Sequence, residues 1–506
     1  MKGLVGATDR QIMTKKEDQQ TQTVVISQNG SSIRRDVPLP QDHLEQVDSW
    51  GEATTSMSYV YRPSTIAGLK QVFDLARDSG RSIGLRGAGN SYGDATLNNE
   101  NIILDLQRMN RILDWNPESG QIRVEPGVTI AKLWEYALED GWWPAVVPGT
   151  AKPTIGGCAG MNVHGKNAWK VGTIGDQISS FEILLPSGEI CFCSREQNQE
   201  LFIAAIGGFG MLGIFTSITL QLKRIQSGLL EVHALASHDL AEMMQQFDEY
   251  LDQSDYLVGW IDGFAKGKSL GRGQIHRANY LTTDQDPQPG QTLRLENQHL
   301  ADTMFGLVPR SIMWRFMRPF FNDHGARFIN WAKYMSSLYT HDSRFRQPHV
   351  AFHFLLDYVP NWKRSYGDGG LIQYQCFVPK ANALHTFTEI IRHCHKRKLI
   401  NYLAVLKRHK RDDFHISHGV DGYSLAMDFR ITPKRKARLQ ALTNELDEIV
   451  LQAGGRFYFA KDSTLQSKTV EAFLGASSID SFKELKKRHD PENILQTNMW
   501  RRFFGE

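Results

Sequence analysis

This chain has few cysteines and a small net charge. Five cysteines occur among 506 residues, an odd number that cannot pair completely, and no two of them form a C-x-x-C motif. We therefore expect a reducing compartment, no disulfide framework and no bound metal. The formal net charge is only +3, which excludes nucleic-acid binding as the main role, since a polyanion partner calls for a strongly basic surface.

The beginning of the chain has no apolar segment of the kind found in a secretory signal. Lysines and acids mix at residues 15–18, so no cleavable leader is predicted. We expect residues 1–44 to form a mobile polar tail. The predicted localisation is cytoplasmic, with peripheral contact at the inner face of the membrane left open.

One uncharged run, residues 201–222, is long enough to suggest a membrane span. Four glycines interrupt it, and β-branched residues recur at every second position from Ile214 onward, which is typical of a strand. We interpret this run as a buried helix end, a glycine turn and a strand. The run also contains the letters G-x-G-x-x-G at Gly208–Gly213, but a dinucleotide fingerprint needs a strand before it and a helix after it, and the order here is reversed.

The length of the chain predicts at least two domains, and its mixture of short strands, helices and glycine turns predicts an α+β fold. Predicted strands in the first half are 82–85, 101–104, 121–124, 178–185 and 214–222, with helices at 66–78 and 130–139. Predicted elements in the second half are helices at 238–252, 380–395, 433–453 and 481–488 and strands at 371–378, 424–431 and 456–460.

Three glycine-bearing loops fall within the first half. They are RGAGNSYGDA at residues 86–95, VPGTAKPTIGG at 147–157 and NVHGKN at 162–167. Glycine lets a backbone approach a bulky ligand and turn its N–H groups toward anionic oxygens. Each loop alone is as well explained by a tight turn, but together they indicate a long slot for a diphosphate and its rings.

The order of these loops, followed by G-G-x-G-x-x-G-I at 207–214, resembles the vanillyl-alcohol-oxidase or PCMH-type family of FAD-linked oxidoreductases. The likeness runs from about residue 50 to the end of the chain and includes LIQYQCFVP at 371–379, YLAVLKR at 402–408, FYFAKDS at 457–463 and NMWRRF at 498–503. These sequence segments are similar to the corresponding segments of the family members that oxidise a polyprenyl-phosphoryl ribose. The resemblance implies a two-domain fold, with an FAD-binding domain at 45–228, completed by 456–506, and an inserted antiparallel-sheet substrate (cap) domain at 229–455.

The resemblance also implies which residues contact FAD. Some members attach the flavin through a histidine at the position of Asn90, and a second attachment cysteine has no match near His164, so we predict non-covalent FAD. The residues at the matching positions are Arg86, Gly87, Ala88, Gly89, Asn90, Ser91, Tyr92, Pro148, Gly149, Thr150, Thr154, Gly156, Gly157, Met161, Asn162, His164, Gly165, Asn167, Gly172, Thr173, Gly213, Ile214 and Tyr458.

The resemblance places Lys461, Tyr458 and His164 at catalytic positions. A cation beside the flavin stabilises the negative charge that develops on the reduced ring, and Lys461 has the matching position, although a surface lysine after a strand is the alternative. A base or relay must also take the proton of the substrate hydroxyl. His164 is either part of that relay or a structural histidine, and both interpretations stay open.

Eight residues are predicted to bind the substrate: Tyr92, His164, Lys166, Gln373, Gln375, Ser424, Ala426 and Lys461. Gln373 and Gln375 alternate along one strand, so both amides would lie on one face and grip sugar hydroxyls; a solvent-facing edge is the alternative. The ribose-oxidising members have an asparagine and a cysteine where this chain has Ser424 and Ala426, which leaves the identity of the substrate open.

The predicted function is oxidation of a secondary hydroxyl on a sugar or polyprenyl-phosphoryl sugar, the 2′-hydroxyl of a ribose-like unit, to a ketone by hydride transfer to flavin N5. An NAD(P)H-dependent reductase partner would complete a net epimerisation. The alternatives are a soluble alditol or aldonolactone oxidase using O₂ and a noncatalytic flavin-binding protein. No residue indicates whether the electron acceptor is a quinone or O₂.

Two basic segments have two interpretations each. Residues 305–335 mix arginines with aromatic rings, which suits either an anionic membrane surface or an aromatic core. The run KRHKR at 407–411 is interpreted as a solvated mobile loop that could also attract a substrate phosphate.

Overall fold

The structure of the chain, a computed structural model, describes residues 38–304 and 306–505. Residues 1–37 of the predicted tail lie outside the described part of the chain. The predicted end of the tail at residue 44 was wrong, because a helical turn occupies Gln41–His43 and a strand begins at Leu44. Leu39 is already buried against the first sheet.

A four-stranded sheet comes first in the chain. Strands β2 and β3 both run parallel to β4, and β1 pairs antiparallel with β2, in the order β1-β2-β4-β3. The connecting helix α1 begins where the Thr65 hydroxyl accepts the Gly68 N–H and ends at Gly80, whose φ of 66° favours glycine. The loop at residues 87–92 leaves the end of β3. The elements are β1 Leu44–Asp48, β2 Thr55–Tyr61, α1 Ile66–Ser79, β3 Ile83–Arg86 and β4 Ile102–Asp105.

A five-stranded antiparallel sheet follows, in the order β5-β6-β10-β8-β9, with a separate two-stranded pair of β7 and β11. The prediction for residues 201–222 is confirmed, since α5 ends at Ala205 and β10 begins at Ile214. The elements are β5 Ile112–Asn116, β6 Gln121–Val124, α2 Ile130–Ala137, β7 Trp142–Trp143, α3 Ile155–Gly160, α4 Ala168–Val171, β8 Ile178–Leu184, β9 Ile190–Ser194, α5 Gln199–Ala205, β10 Ile214–Gln221 and β11 Lys223–Arg224.

The largest sheet has eight antiparallel strands in the order β17-β12-β14-β13-β19-β20-β18-β21. The strands and helices of this part are β12 Leu229–Ser237, α6 Leu240–Tyr250, β13 Tyr256–Ile261, β14 Gly273–Tyr280, α7 Pro289–Thr292, β15 Thr303–Met304, β16 Val308–Pro309, α8 Arg310–Met317, α9 Asp323–Tyr339, β17 Ser343–Pro348, α10 His349–His353, β18 Leu371–Pro379, α11 Lys380–Arg397, β19 Leu403–His409, β20 Gly422–Arg430, α12 Pro433–Gln452 and β21 Arg456–Phe457.

The register of the eight-stranded sheet defines its two faces. Trp260 lies opposite Val405, Val405 opposite Ala426, and Ala426 opposite Gln375. Residues directly opposite each other project to the same side, so these four mark one face, which we call the site face. Helices α6, α11 and α12 contact strands of this sheet, and Leu425 and Met427 are fully buried between the site-face residues of β20.

Two sequence predictions in this region were wrong. The strand predicted at 456–460 is limited to Arg456 and Phe457, because the chain turns at Tyr458, whose carbonyl accepts the Lys461 N–H. The prediction of a loop at 407–411 is wrong for its first three residues, because Lys407, Arg408 and His409 end strand β19. Arg408 and His409 are also buried.

The final helices, α13 Ser467–Leu474, α14 Ala476–His489 and α15 Asn498–Phe504, return to the first part of the chain. The Ile83 N–H donates to the Ile494 carbonyl at 2.7 Å and the Gln496 N–H donates to the Ile83 carbonyl at 2.9 Å. Strand β21 instead pairs with β18 of the largest sheet. The last fifty residues therefore contact both the first and the largest sheet.

Mixed helices and antiparallel sheets make the described structure α+β, as predicted. The division into an FAD-binding domain and a cap domain stays a prediction. Across residues 38–304 and 306–505, none of the helices combines the length and apolar character that a bilayer span requires.

Candidate active site

One large cavity is bounded by the glycine loops on one side and by the site face of the eight-stranded sheet on the other. It encloses about 1840 Å³ of space free of protein atoms, its open mouth included. All eight predicted substrate-binding residues line it, and Gln373 and Gln375 face it together as their alternation predicted. The predicted cofactor residues in its wall are Arg86, Gly87, Ala88, Gly89, Asn90, Ser91, Tyr92, Pro148, Gly149, Thr150, Thr154, Gly156, Gly157, Met161, His164 and Tyr458.

The first loop presents free backbone donors to this cavity. Within the described residues, the N–H groups of residues 87–91 donate no hydrogen bond, although all five residues line the cavity. A Cβ atom added to Gly87 would lie 2.1 Å from Thr154 Oγ1, so the two loops approach as closely as glycine allows. Successive unpaired N–H groups of this kind fit the diphosphate of the predicted FAD.

The second loop is held in place by a carboxylate from a distant part of the chain. Asp357 accepts hydrogen bonds from the Thr150 hydroxyl at 2.7 Å and from the Ala151 N–H at 2.8 Å. The Thr154 hydroxyl then caps α3 by accepting the Gly157 N–H at 3.3 Å. The loop is thereby hydrogen-bonded near both of its ends.

Seven predicted cofactor residues lie behind the cavity wall and do not line it: Asn162, Gly165, Asn167, Gly172, Thr173, Gly213 and Ile214. Asn162 accepts the Gly175 N–H at 3.1 Å, and Asn167 donates to the Ala145 carbonyl at 2.8 Å. These contacts hold the third loop against its neighbours. These seven residues therefore support the cavity wall and do not contact the cavity themselves.

His164 projects from the third loop into the cavity. Its Nε2 accepts a hydrogen bond from the Gln375 amide nitrogen at 3.0 Å, which places the imidazole proton on Nδ1. Nδ1 has no partner among the described residues. Burial, followed by the nearby Lys407 charge, lowers the pKa of His164 well below its usual value. The ring is therefore a neutral donor at physiological pH.

Lys461, which is half-buried, and Asp428, which is fully buried, are two ionisable groups on the cavity wall. The Lys461 ammonium lies 3.9 Å from the centre of the Tyr92 ring. The Asp428 carboxylate accepts a hydrogen bond from the Gln373 amide at 2.5 Å through one oxygen, while the other has no partner among the described residues. Burial raises the pKa of Asp428 to about 7 and lowers the pKa of Lys461 to about 7, against the attraction between the two charges.

The cavity wall also contains Asp428 and Lys407, which the sequence prediction did not assign individually as site residues. Asp428 follows Ser424 and Ala426 at every second position of β20, so strand alternation alone would have placed it on the site face. Lys407 was missed because its segment was interpreted as a loop. Burial lowers the pKa of Lys407 to about 8, and its ammonium forms no hydrogen bond or ion pair within the described part of the chain.

Lys166 is buried in the cavity wall next to α10. Its ammonium donates to the Phe352 carbonyl and, at 3.3 Å, to the His353 carbonyl. Burial, followed by the Lys407 charge, lowers the pKa of Lys166 well below its usual value. Because both contacts are to carbonyl oxygens, no carboxylate neutralises this ammonium.

Tyr458, Ser424 and Ala426 complete the predicted set. The Tyr458 ring lies 5.2 Å from that of His164 between their centres. The Ser424 hydroxyl is held by His409 Nε2 at 2.8 Å, so it is less available to a ligand. Ala426 contributes only a methyl group, which leaves room opposite Gln375.

Comparison with known proteins relates this arrangement to oxidases. A family model described as an FAD binding domain matches residues 57–194. The chain is 28% identical to decaprenylphosphoryl-beta-D-ribose oxidase of Mycolicibacterium smegmatis over 90% of this chain and 96% of that protein.

Two further relatives match a smaller part of the chain. L-gulonolactone oxidase of Mus musculus is 26% identical over 42% of this chain and 47% of that protein. D-arabinono-1,4-lactone oxidase of Yarrowia lipolytica is 26% identical over 46% of this chain and 44% of that protein. The lactone oxidases thus share less than half of the chain.

Proposed function

We propose that this chain, an FAD-linked oxidoreductase that acts on CH–OH groups of sugar-like substrates, oxidises a secondary hydroxyl of a sugar or polyprenyl-phosphoryl sugar to a ketone. The proposed reacting group is the 2′-hydroxyl of a ribose-like unit. The observation that carries this proposal is that an amine, a carboxyl group and two amides, those of Lys461, Asp428, Gln373 and Gln375, line one cavity beside the glycine loops. The residues 229–455 would act as the substrate-binding cap.

FAD is the cofactor, because the family model matching residues 57–194 is an FAD binding domain. Bound FAD supplies the hydride acceptor for alcohol oxidation. The free N–H groups of residues 87–91 and the loop at 148–157 would hold its diphosphate. In its protonated form, Lys461 would stabilise the negative charge on the reduced cofactor in this low-dielectric cavity.

We propose that the flavin is held without a covalent bond. Asn90 in the first loop has an amide, which is not a nucleophile, and it donates to the Ala88 carbonyl at 3.2 Å. The one cysteine in the cavity wall, within the part of the chain that the structure describes, is Cys158. Burial raises its pKa to about 12, so it is not a thiolate at neutral pH and is a poor nucleophile.

The proton of the substrate hydroxyl would pass to the Lys461–Asp428 pair. With both pKa values near 7, one member of the pair is able to accept a proton at neutral pH, which is the requirement for a general base. Gln373 and Gln375 would bind neighbouring hydroxyls, since each amide has donors and an acceptor. The Nδ1–H of His164, unpartnered within the described residues, would donate to a substrate oxygen.

Two partners accompany this proposal. A ketone product calls for an NAD(P)H-dependent reductase if the overall reaction is an epimerisation. A lipid-linked substrate calls for peripheral contact with a membrane, for which the exposed aromatic residues of α8 and α9 are suited.

A second candidate function is oxidation of a free alditol or aldonolactone with O₂. The partial likeness to L-gulonolactone and D-arabinono-1,4-lactone oxidases favours it. This activity requires the same cavity chemistry but no lipid and no phosphate on the substrate. Rapid turnover of free polyols or lactones with peroxide release, without any response to a lipid-linked sugar, would establish it.

The test is an anaerobic titration of the purified holoprotein with a panel of polyprenyl-phosphoryl pentoses, free pentoses and aldonolactones, followed by flavin absorbance. We expect the polyprenyl-phosphoryl ribose to bleach the flavin, at a rate that rises with pH through about 7 as the Lys461–Asp428 pair loses a proton. Lys461→Ala should slow the bleaching by about 10²–10⁴-fold. A protein whose flavin no compound bleaches would be a noncatalytic flavin-binding protein. Equal rates in the wild type and Lys461→Ala would remove Lys461 from the mechanism.

A further inference from the structure

The site face of the eight-stranded sheet continues beyond the cavity wall. Val258 and Val405 line the cavity, and their direct neighbours across the sheet are His276, opposite Val258, and Trp260, opposite Val405. His276 and Trp260 therefore project to the same side as the cavity. They form the next position outward from the place where the substrate hydroxyl would react.

Lys333 of α9 lies over this position. Its ammonium is 4.3 Å from the centre of the Trp260 ring, and α9 contacts β12 and β14. The side chain keeps exposed surface, yet the protein around it lowers its pKa to about 8. Lys333 is therefore an exposed side chain whose ammonium packs on the Trp260 ring. Among residues 38–304 and 306–505, this ammonium forms no hydrogen bond or ion pair.

Lysines outnumber carboxylates in the cavity wall that adjoins this position. Burial, followed by the charges of Lys333 and Lys166, lowers the pKa of His276 to about 4. The Lys407 charge acts in turn on Lys166 and Lys461. Lys166, Lys407 and Lys461 line the cavity, and Lys333 lies beside Trp260 on the same face of the sheet, so four lysines follow this side. Within the described residues, Asp428 is the one carboxylate in the cavity wall.

A bound anion would offset this excess of positive charge. Like charges held close together at a partly buried site repel, and an anion replaces that repulsion with attraction. The Lys–Trp contact is favourable, and it leaves all three ammonium hydrogens free to bind an oxyanion. Trp260 orients the ammonium without neutralising it.

We propose that Lys333, His276 and Trp260 form a subsite for the phosphate group of the substrate. The proposal rests on the proposed function, because it assigns the anionic part of the same substrate, one position outward from the reacting hydroxyl. Neutral His276 would donate a hydrogen bond and Lys333 a charged one to a phosphate diester oxygen.

Apolar residues continue from this subsite toward the surface. The Phe345 ring lies 6.4 Å from that of His276 between their centres, and Leu338 and Tyr339 at the end of α9 are exposed. A phosphate carrying a prenyl chain would place that chain over these side chains. The substrate class of the subsite is therefore a polyprenyl phosphate ester.

Binding of farnesyl phosphate to the FAD-loaded protein, measured by calorimetry, tests the subsite without any oxidation. We expect Lys333→Met to weaken binding by about tenfold or more, because a charged hydrogen bond is lost, and Lys333→Arg to retain it. Lys436→Met is the matched control, since Lys436 is exposed on α12, which contacts β18 and the helix α11 rather than the site face.

Farnesol and inorganic phosphate separate the two parts of the ligand. Displacement of farnesyl phosphate by inorganic phosphate supports anion recognition, whereas displacement by farnesol alone would overturn it. Equal affinity of wild type and Lys333→Met for farnesyl phosphate would also overturn the subsite, even if the sugar panel bleached the flavin. Conversely, Lys333-dependent binding with a flavin that no sugar bleaches would keep the subsite and reject the proposed oxidation.

Discussion

At the scale of single residues, the central feature is a carboxyl group and an amine that are both driven toward neutrality. Burial raises the pKa of Asp428 and lowers that of Lys461, in each case to about 7. A folded Asp428 keeps its proton where an unfolded chain has released it, so its contribution to stability falls as the pH rises from about 4 to 7. A folded Lys461 releases its proton first, so its contribution rises from about pH 7 to 10.5.

We therefore expect Asp428→Asn to increase the free energy of unfolding more at pH 8 than at pH 5. Asparagine keeps a partner for the Gln373 amide but cannot ionise, so the cost of burying the carboxylate above its unfolded pKa is removed. The measurement is urea unfolding of the FAD-saturated proteins at both pH values. A difference between variant and wild type that is the same at both pH values would contradict the assigned pKa of Asp428.

A second residue-scale prediction concerns Gly87. Alanine at this position would place its Cβ 2.1 Å from Thr154 Oγ1, and overpacking of this kind typically costs about 1–3 kcal/mol. We expect Gly87→Ala to weaken FAD binding about tenfold or more, as measured by the flavin-to-protein ratio and by titration of the apoprotein. Gly290→Ala is the control, because no atom lies within 4 Å of its added Cβ. Full flavin content in Gly87→Ala would show that the two loops can separate without loss of the site.

At the scale of helices and strands, the sequence pattern correctly predicted the face on which strand residues lie and the boundary between two elements. Alternation placed Gln373 and Gln375 on the cavity wall, and interruption by glycines separated α5 from β10. The run at 407–411 was predicted to be a loop because its charged residues suggested exposure to solvent. In the structure, Leu403, Val405 and Lys407 alternate along β19 and all three face the cavity. Its burial depends on α4 and the third glycine loop, which are distant in the sequence.

For the aromatic residues of 305–335, the sequence allowed two interpretations, an anionic membrane surface or an aromatic core. The interpretation as a core was wrong for Phe316, Phe320, Phe328 and Trp331, which are exposed, whereas Phe321 is packed beside Tyr366. Exposed rings interleaved with arginines favour an anionic membrane surface, where rings enter the headgroup region and cations meet phosphates.

We expect Phe328→Ser combined with Trp331→Ser to reduce binding to vesicles of anionic lipids, measured by co-sedimentation. The two rings are 58% and 48% exposed and adjacent on α9. The matched control is Tyr136→Ser with Phe192→Ser, whose rings are 49% and 43% exposed on α2 and β9. Equal loss in both double variants, or no loss in either, would argue against a membrane-binding role for α9.

At the scale of the whole molecule, the structure depends on contacts that no local pattern predicts. Asp357 holds the second glycine loop, and Ile494 pairs with Ile83 across more than 400 residues of chain. The likeness to the PCMH-type family implied that the last segment completes the first part, although the residues in contact could not be inferred from it. Arg502 joins three regions by pairing with Asp94 at 2.6 Å and with Asp462 at 2.7 Å.

We expect Arg502→Met to lower the free energy of unfolding by about 3–5 kcal/mol, because it leaves Asp462 buried without its cation. Thermal or urea unfolding of the holoprotein measures the change. Arg488→Met removes an ion pair with Glu200 in which both side chains are more than half exposed, so its effect should stay below about 1 kcal/mol. Similar values for the two variants would mean that the Arg502 pairs contribute no more than a surface contact.

The bridge between Ile83 and residues 494–496 has a consequence for biosynthesis. Ribosomes add roughly 5–20 residues per second, so the nascent chain exposes the edge of β3 for on the order of tens of seconds before its partner is translated. An open strand edge is a site of aggregation, so we expect the unfinished chain to be more prone to aggregation than the completed one.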